Sequence, residues 1–245
     1  MRAVKTCADS GHWMSMRVKI SLGIICCMHL INLETLHLPL NDVQLKGDIS
    51  IPQNAHSLVI FAHGSGSSRL SPRNQIVASY LNEHGIATFL FDLLTQAEDR
   101  NYENRFNIAL LSQRLKEATQ WIEQQKDYSS FRIGYFGAST GAAAALIAAS
   151  ELPQIAAVVS RGGRPDLAMI EIPLVKAPTL FIVGQLDTQV LTLNEKAFQL
   201  LNCSKKLEIV AGATHLFEER GAMEKVCVLA ANWFEMHLQP LELYG

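Results

Sequence analysis

Between Leu36 and His237 the chain alternates short, continuous apolar runs with segments whose apolar residues recur at helical spacing. The runs are Ser57–Ala62 (SLVIFA), Ile86–Phe91 (IATFLF), the stretch from Phe131 to Ala138, Ile155–Ser160, Thr179–Val183 and a shorter, more polar one at Lys206–Val210. Runs this uniformly apolar suit strands covered on both faces, and helices between them are what a mainly parallel sheet requires. The helical segments fall on Pro72 to Glu83, Phe106–Gln125, an alanine-rich stretch after Ser139, Leu193–Leu201 and Met223–His237. Ser71-Pro72 marks a start, because proline at the first helical position gives up an N–H that has no partner there, and His84-Gly85 marks the stop. Ahead of these, LHLPL and VQLKGDISI alternate in polarity around Asn41-Asp42 and predict an antiparallel hairpin. The expected fold is α/β, a mainly parallel central sheet with helices on both faces, as one domain over residues 36–245 with no large cap.

Composition narrows the function. A chain of 245 residues accommodates one such domain with a substantial core, and a net charge of −2 lacks the basic excess of a nucleic-acid binder. A small-molecule partner is expected, with no stable membrane association. Five cysteines without CxxC spacing indicate neither a disulfide framework nor a zinc site, which fits a reducing, cytoplasmic setting; no metal or cofactor is called for. Residues 1–35 stand apart. Arg17 and Lys19 precede an apolar run, Ile20 to Ile31, of about a dozen residues, short for a membrane span but of signal-core length. His29 interrupts it and no small-residue cleavage site follows, so the segment is read as a disordered or mis-started extension in preference to a leader.

The strongest chemical signal is Gly137-Ala138-Ser139-Thr140-Gly141, a G-x-S-x-G pentapeptide between an apolar strand and an alanine-rich helix. A turn that tight strains the serine backbone, and the flanking glycines let neighbouring backbones pass where a Cβ would clash. A serine hydroxyl needs an imidazole to take its proton and a carboxylate to orient that imidazole; with this motif they follow in the order acid, histidine. Asp187 lies just past a strand in FIVGQLDTQV, and His215 just past another in EIVAGATHLF. His12 and His29 lie in the N-terminal stretch, His37 and His56 precede the pentapeptide near the first strands, His84 ends a helix and His237 lies in the last one, which leaves His215 downstream in a loop after a strand, while His63 is read as a structural hydrogen-bonder in preference to a proton shuttle. Asp166 and Glu171 are rival acids, with Asp187 preferred from its place after a strand and glycine turn. For the oxyanion, one N–H is expected from Thr140 and a second from His63-Gly64-Ser65-Gly66, with Ser65 preferred and Gly64 the alternate.

With AHGSGSS, GYFGASTGAA, FIVGQLDTQV and GATHLF in this order, the chain resembles the α/β-hydrolase superfamily and, in its compactness, the dienelactone hydrolase family. The resemblance covers Leu36 to His237. Dienelactone hydrolases proper use a cysteine nucleophile, so Ser139 makes this a serine variant and shifts the expectation towards esters. The resemblance implies a serine hydrolase of small soluble carboxylic esters or thioesters, working through an acyl-enzyme. The competing reading is a non-catalytic ligand-binding module on the same fold. Four arginines, Arg69, Arg73, Arg161 and Arg164, fall near loops expected to face the pocket. They are candidates for a substrate carboxylate or phosphate, against ion pairs with Asp92, Glu98, Asp99 or Asp166. Arg161 stands out because it follows a strand beside the nucleophile.

Overall fold

The computed structural model describes residues 31–239. Eight strands form one sheet: β1 (Ile31–Pro39), β2 (Gln44–Pro52), β3 (Ser57–Ala62), β4 (Ala87–Phe91), β5 (Arg132–Ala138), β6 (Ala157–Arg161), β7 (Thr179–Gly184) and β8 (Lys205–Val210). Their order is β1-β2-β4-β3-β5-β6-β7-β8. β2 runs antiparallel to both β1 and β4, and every pair from β4 to β8 is parallel. In β3, β4 and β7 every residue is buried, as expected of strands covered on both faces, whereas the edge strand β8 is mostly half-exposed. All strands from β3 onward therefore deliver the loops at their C-terminal ends to one side of the sheet, where side chains from separate segments converge.

Helices α1 (Pro72–Glu83) and α6 (Ala222–His237) cover one face; α3 (Ile108–Gln124) and α4 (Thr140–Glu151) cover the other, with α5 (Thr188–Leu200) beside them and a single turn, α2 (Gln96–Asp99), in the loop after β4. α1 starts where Ser71-Pro72 places it: the Ser71 side chain accepts from Asn74 N–H. α4 is buried nearly all round, through Ala142, Ala143, Ala144 and Ala145, and these small side chains let its axis lie close to β3 and β5. A Cβ on Gly141 would stand 2.2 Å from the Ala62 carbonyl oxygen, so this approach requires glycine.

Three boundaries depart from the sequence expectation. β1 begins at Ile31, inside the stretch assigned to an extension, because residues 31–35 pair with the backbone of β2, Ile31 opposite Pro52, while remaining exposed. The signal-like run upstream lies outside the described residues. α5 begins at Thr188, a turn and more before Leu193. The segment expected as polar loop from Thr95 to Arg105 contains α2, closed by a Thr95/Glu98 capping box, and a 3-10 turn at Tyr102–Phe106. This segment is anchored by the buried Arg114, which pairs with Asp42, Glu98 and Glu117 and so ties α3 to the β1–β2 turn. Between β6 and β7 only two 3-10 turns, Pro165–Ala168 and Ile172–Leu174, occur where a cap would be inserted.

Replacing Gly141 with alanine forces α4 away from β3. The expected cost is at least about 1–3 kcal/mol, the range of overpacked cores, measured as a lowered urea midpoint with unchanged denaturant slope.

Candidate active site

Ser139 lies in the turn from β5 to α4 with φ 51° and ψ −119°, one of three non-glycine residues with positive φ among those described. Such a conformation costs on the order of 1–3 kcal/mol and persists only when its surroundings impose it. Two backbone bonds do so: Ser139 N–H donates to the Arg161 carbonyl at 3.2 Å, and Arg164 N–H donates to the Ser139 carbonyl at 3.1 Å. The turn is thus clamped to the end of β6. The side of the turn facing α4 is equally tight, since a Cβ on Gly137 would stand 2.4 Å from Ala142 Cα.

Asp187 and His215 come together across the ends of β7 and β8. His215 Nδ1 stands 2.6 Å from Asp187 Oδ2. A carboxylate only accepts, so Nδ1 carries the proton and Nε2 of the neutral ring is left with its lone pair. Asp187 occupies the N-cap of α5 but makes no capping bond there, its carboxylate being engaged by the imidazole instead. The two loops are tied through backbone: Leu186 N–H donates to Ala213 O at 2.9 Å, Gln185 N–H to Val210 O at 3.0 Å, and Gly212 N–H to the Gln185 side chain at 2.9 Å. Gly184 permits this approach, because a Cβ there would meet the Ala213 carbonyl at 2.5 Å. The rival acids are placed elsewhere: Asp166 pairs with Arg164, and Glu171 makes no bond to His215.

Ser139 and His215 line one cavity of about 260 Å³ with Gly64, Ser65, Arg73, Asn74 and Arg161. Gly64 packs directly on Ser139, where a Cβ would lie 3.1 Å from Ser139 Cβ. The Gly64–Ser67 loop is a turn closed by Ser67 N–H to Gly64 O at 3.2 Å, with Gly66 at φ 67° in the position that needs glycine. Thr140 is the first residue of α4, so its N–H has no intrahelical partner and the helix dipole adds to its positive character.

His63 holds this loop. Leu93 N–H donates to His63 Nε2 at 3.0 Å, which fixes the proton on Nδ1, and Nδ1–H donates to Gly64 O at 3.0 Å. Both ring nitrogens are therefore used in the neutral form, and burial pushes the imidazole below its usual pKa.

A larger cavity, about 650 Å³, opens beyond the oxyanion loop between His63, Asp92 and α2, and Ser139 is not among its lining residues. Arg69 belongs there. It is bound to Asp48 at 3.0 Å and Asp92 at 2.7 Å, so of the expected substrate-binding arginines Arg161 and Arg73 line the nucleophile's cavity and Arg69 does not. Several participants were missed by reasoning from sequence. Asn74 is buried in the first turn of α1 and lines the cavity, and Asn194, fully buried on α5, donates to Gly163 O at 3.0 Å and so braces the loop after β6. A buried asparagine on a helix is the signal that each carried.

The model of the dienelactone hydrolase family matches residues 47–237, most of the chain, including Ser139, Asp187 and His215. This chain belongs to the dienelactone hydrolase family. It is similar to a dienelactone hydrolase from Anabaena variabilis ATCC 29413, with 50% identity, 86% of this chain and 100% of that one covered, and a TM-score of 0.85. Est1E from Butyrivibrio proteoclasticus shares the fold at a TM-score of 0.71 over 82% of this chain and 98% of that one, with 15% identity. Curated proteins from two strains of Mycobacterium tuberculosis, each named "Putative phosphoribosyl transferase", are 50% identical over 206 residues, covering 84% of this chain and 46% of theirs. The chain thus spans about half the length of the curated relatives it matches. As a member of the dienelactone hydrolase family it carries Ser139 within its G-x-S-x-G pentapeptide, and no helix among its described residues is long and apolar enough to cross a membrane.

Because folded His63 resists protonation, its contribution to stability is complete above the ordinary pKa of 6.5 and is lost as pH falls below it towards the depressed folded value. His237, also lowered by burial, acts with the same sign. Urea unfolding at about pH 7.5 and about pH 5 is therefore expected to show a larger acid-side loss in the native chain than in His63→Gln; equal losses would remove His63 as the cause.

Proposed function

We propose that this hydrolase cleaves small carboxylic esters, or thioesters by the same steps, through an acyl-enzyme on Ser139. The observation that carries the reading is the 2.6 Å pairing of His215 with Asp187 beside a strained Ser139 in one cavity. Ser139 Oγ attacks the substrate carbonyl carbon as His215 Nε2 takes the hydroxyl proton. Asp187 keeps the ring in the Nδ1–H tautomer and stabilises the imidazolium that forms. Negative charge gathers on the carbonyl oxygen, where the N–H groups of Thr140 and of Ser65, with Gly64 as the alternate, meet it without reorganisation. Collapse breaks the bond to the alcohol, which leaves with the proton from His215. Water, deprotonated by the same nitrogen, then attacks the acyl group and frees the acid and Ser139. A cavity of about 260 Å³ without an inserted cap favours short acyl groups.

The name of the mycobacterial relatives points to phosphoribosyl transfer. That chemistry calls for neither a serine nucleophile nor an acyl oxyanion hole, and we assign it to the portion of those proteins that this chain does not match.

A fluorophosphonate probe is expected to label the chain once, on Ser139, and Ser139→Ala to abolish labelling; labelling that survives the substitution contradicts the assignment. Asp187→Asn is expected to lower kcat on a short p-nitrophenyl ester by about 10⁴, through the wrong histidine tautomer, whereas Asp166→Asn leaves it within about twofold. A p-nitrophenyl ester series is expected to peak at short acyl chains, and a maximum at long chains would overturn the size inference.

A further inference from the structure

The cavity that holds Ser139 has a charge its proposed chemistry does not use. Among its lining residues are Arg161, Arg73 and His215, and no aspartate or glutamate. Arg161 is 6% exposed and has no acidic partner among the described residues; its Nε is sealed without a hydrogen bond. Its guanidinium rests 5.8 Å from the centroid of the Phe217 ring, on a residue held at φ 56°. A cation–π contact orients the group but supplies no acceptor for its N–H donors. A buried guanidinium left in this state is costly unless an anion completes it. Burial and the neighbouring charge of Arg73 push it down to about 10, which still leaves it cationic at neutral pH.

The surroundings add donors of the same sense. Arg73 Nε is likewise buried without a partner, and its NH1 reaches only the exposed Glu218, at 3.1 Å. Both Arg73 and the 2%-exposed Asn74 belong to the first turn of α1, whose positive end meets the cavity. Pro72 has no N–H and Ser71 caps that of Asn74, so the Arg73 N–H is the donor of that turn left for a ligand. Ser65, Ser67 and Ser71 complete the polar wall.

We propose that this wall, Arg161 and Arg73 with the start of α1, binds a phosphate group carried by the ester substrate, resting on the reading of Ser139 as its nucleophile. Two guanidinium groups without a carboxylate in the lining match a dianion better than a single negative charge. A phosphate also offers three acceptor oxygens to donors that approach from separate sides, where a planar carboxylate satisfies one fork. The substrate class is a short-chain acyl ester bearing a phosphate, and the subsite selects it over neutral esters of equal size.

The test compares p-nitrophenyl esters of matched acyl length ending in a phosphonate, a carboxylate or a methyl group. The phosphonate ester is expected to show a kcat/KM at least about tenfold above both others, the discrimination typical of charge-assisted bonds in a desolvated site. In Arg161→Gln, and separately in Arg73→Gln on the more exposed residue, the phosphonate-to-methyl ratio is expected to fall towards one. A carboxylate ester that equals or exceeds the phosphonate, or three equal esters, overturns the proposal. Calorimetric titration of inorganic phosphate into the full chain gives a readout that needs no reaction at Ser139. Saturable binding lost in Arg73→Gln supports the subsite even if no ester is cleaved, which would then count against the hydrolase reading alone. Ester hydrolysis without discrimination and without phosphate binding removes the subsite alone.

Discussion

The turn at Ser139 is the constraint on which the site depends. It exists because β5, α4 and the end of β3 approach more closely than side chains at positions 137 and 141 would allow. The cost of the left-handed serine is met by the packing of α4, a helix whose buried faces are almost entirely alanine, and by the two backbone bonds that clamp Ser139 to Arg161 and Arg164. The fold is in this sense a means of holding one unfavourable dihedral. The parallel sheet then brings the loops after β3, β7 and β8, which carry Gly64–Ser67, Asp187 and His215, to the same end.

That arrangement makes use of local rules by breaking them. Asp187 stands at a helix start, where an aspartate ordinarily caps, yet its carboxylate turns to His215. His63, beside the Gly64–Ser67 loop, has both ring nitrogens engaged by backbone partners, and burial pushes it below its usual pKa. Arg69 and Arg161 illustrate the same division among cations. The first is neutralised by Asp48 and Asp92 and supports the loop around the neighbouring cavity, while the second is left without an acid beside the nucleophile.

Much of this was legible in the sequence because a parallel sheet couples chain order to place. Each candidate residue follows an apolar run, so its position at the C-terminal end of a strand, and hence its convergence with the others, could be read without coordinates. What could not be read was the balance among residues of equal chemistry. Arg69 differs from Arg161 in the acids that β2 and the end of β4 bring to it, Asp48 and Asp92, and Asp48 lies far from it along the chain. The first residues of β1 are exposed, Ile31 and Leu33 among them, and Ile31 continues the apolar run upstream, so their pattern does not mark where the strand begins. The start of α5 follows Asp187, a capping residue type whose carboxylate is spent on His215 and makes no capping bond, and α2 is a single turn set by its capping box and by Arg114.

The central claim is that Ser139 becomes covalently acylated during turnover. Rapid mixing with an excess of p-nitrophenyl acetate, followed by acid quench and peptide mass analysis, tests it directly. The account predicts a burst of p-nitrophenolate approaching one equivalent per chain, with the acetyl group on the peptide containing Ser139 and decaying at the turnover rate. Steady hydrolysis without a burst and with no acetyl-peptide, or an acetyl group that maps to another residue and turns over at the same rate, would contradict it.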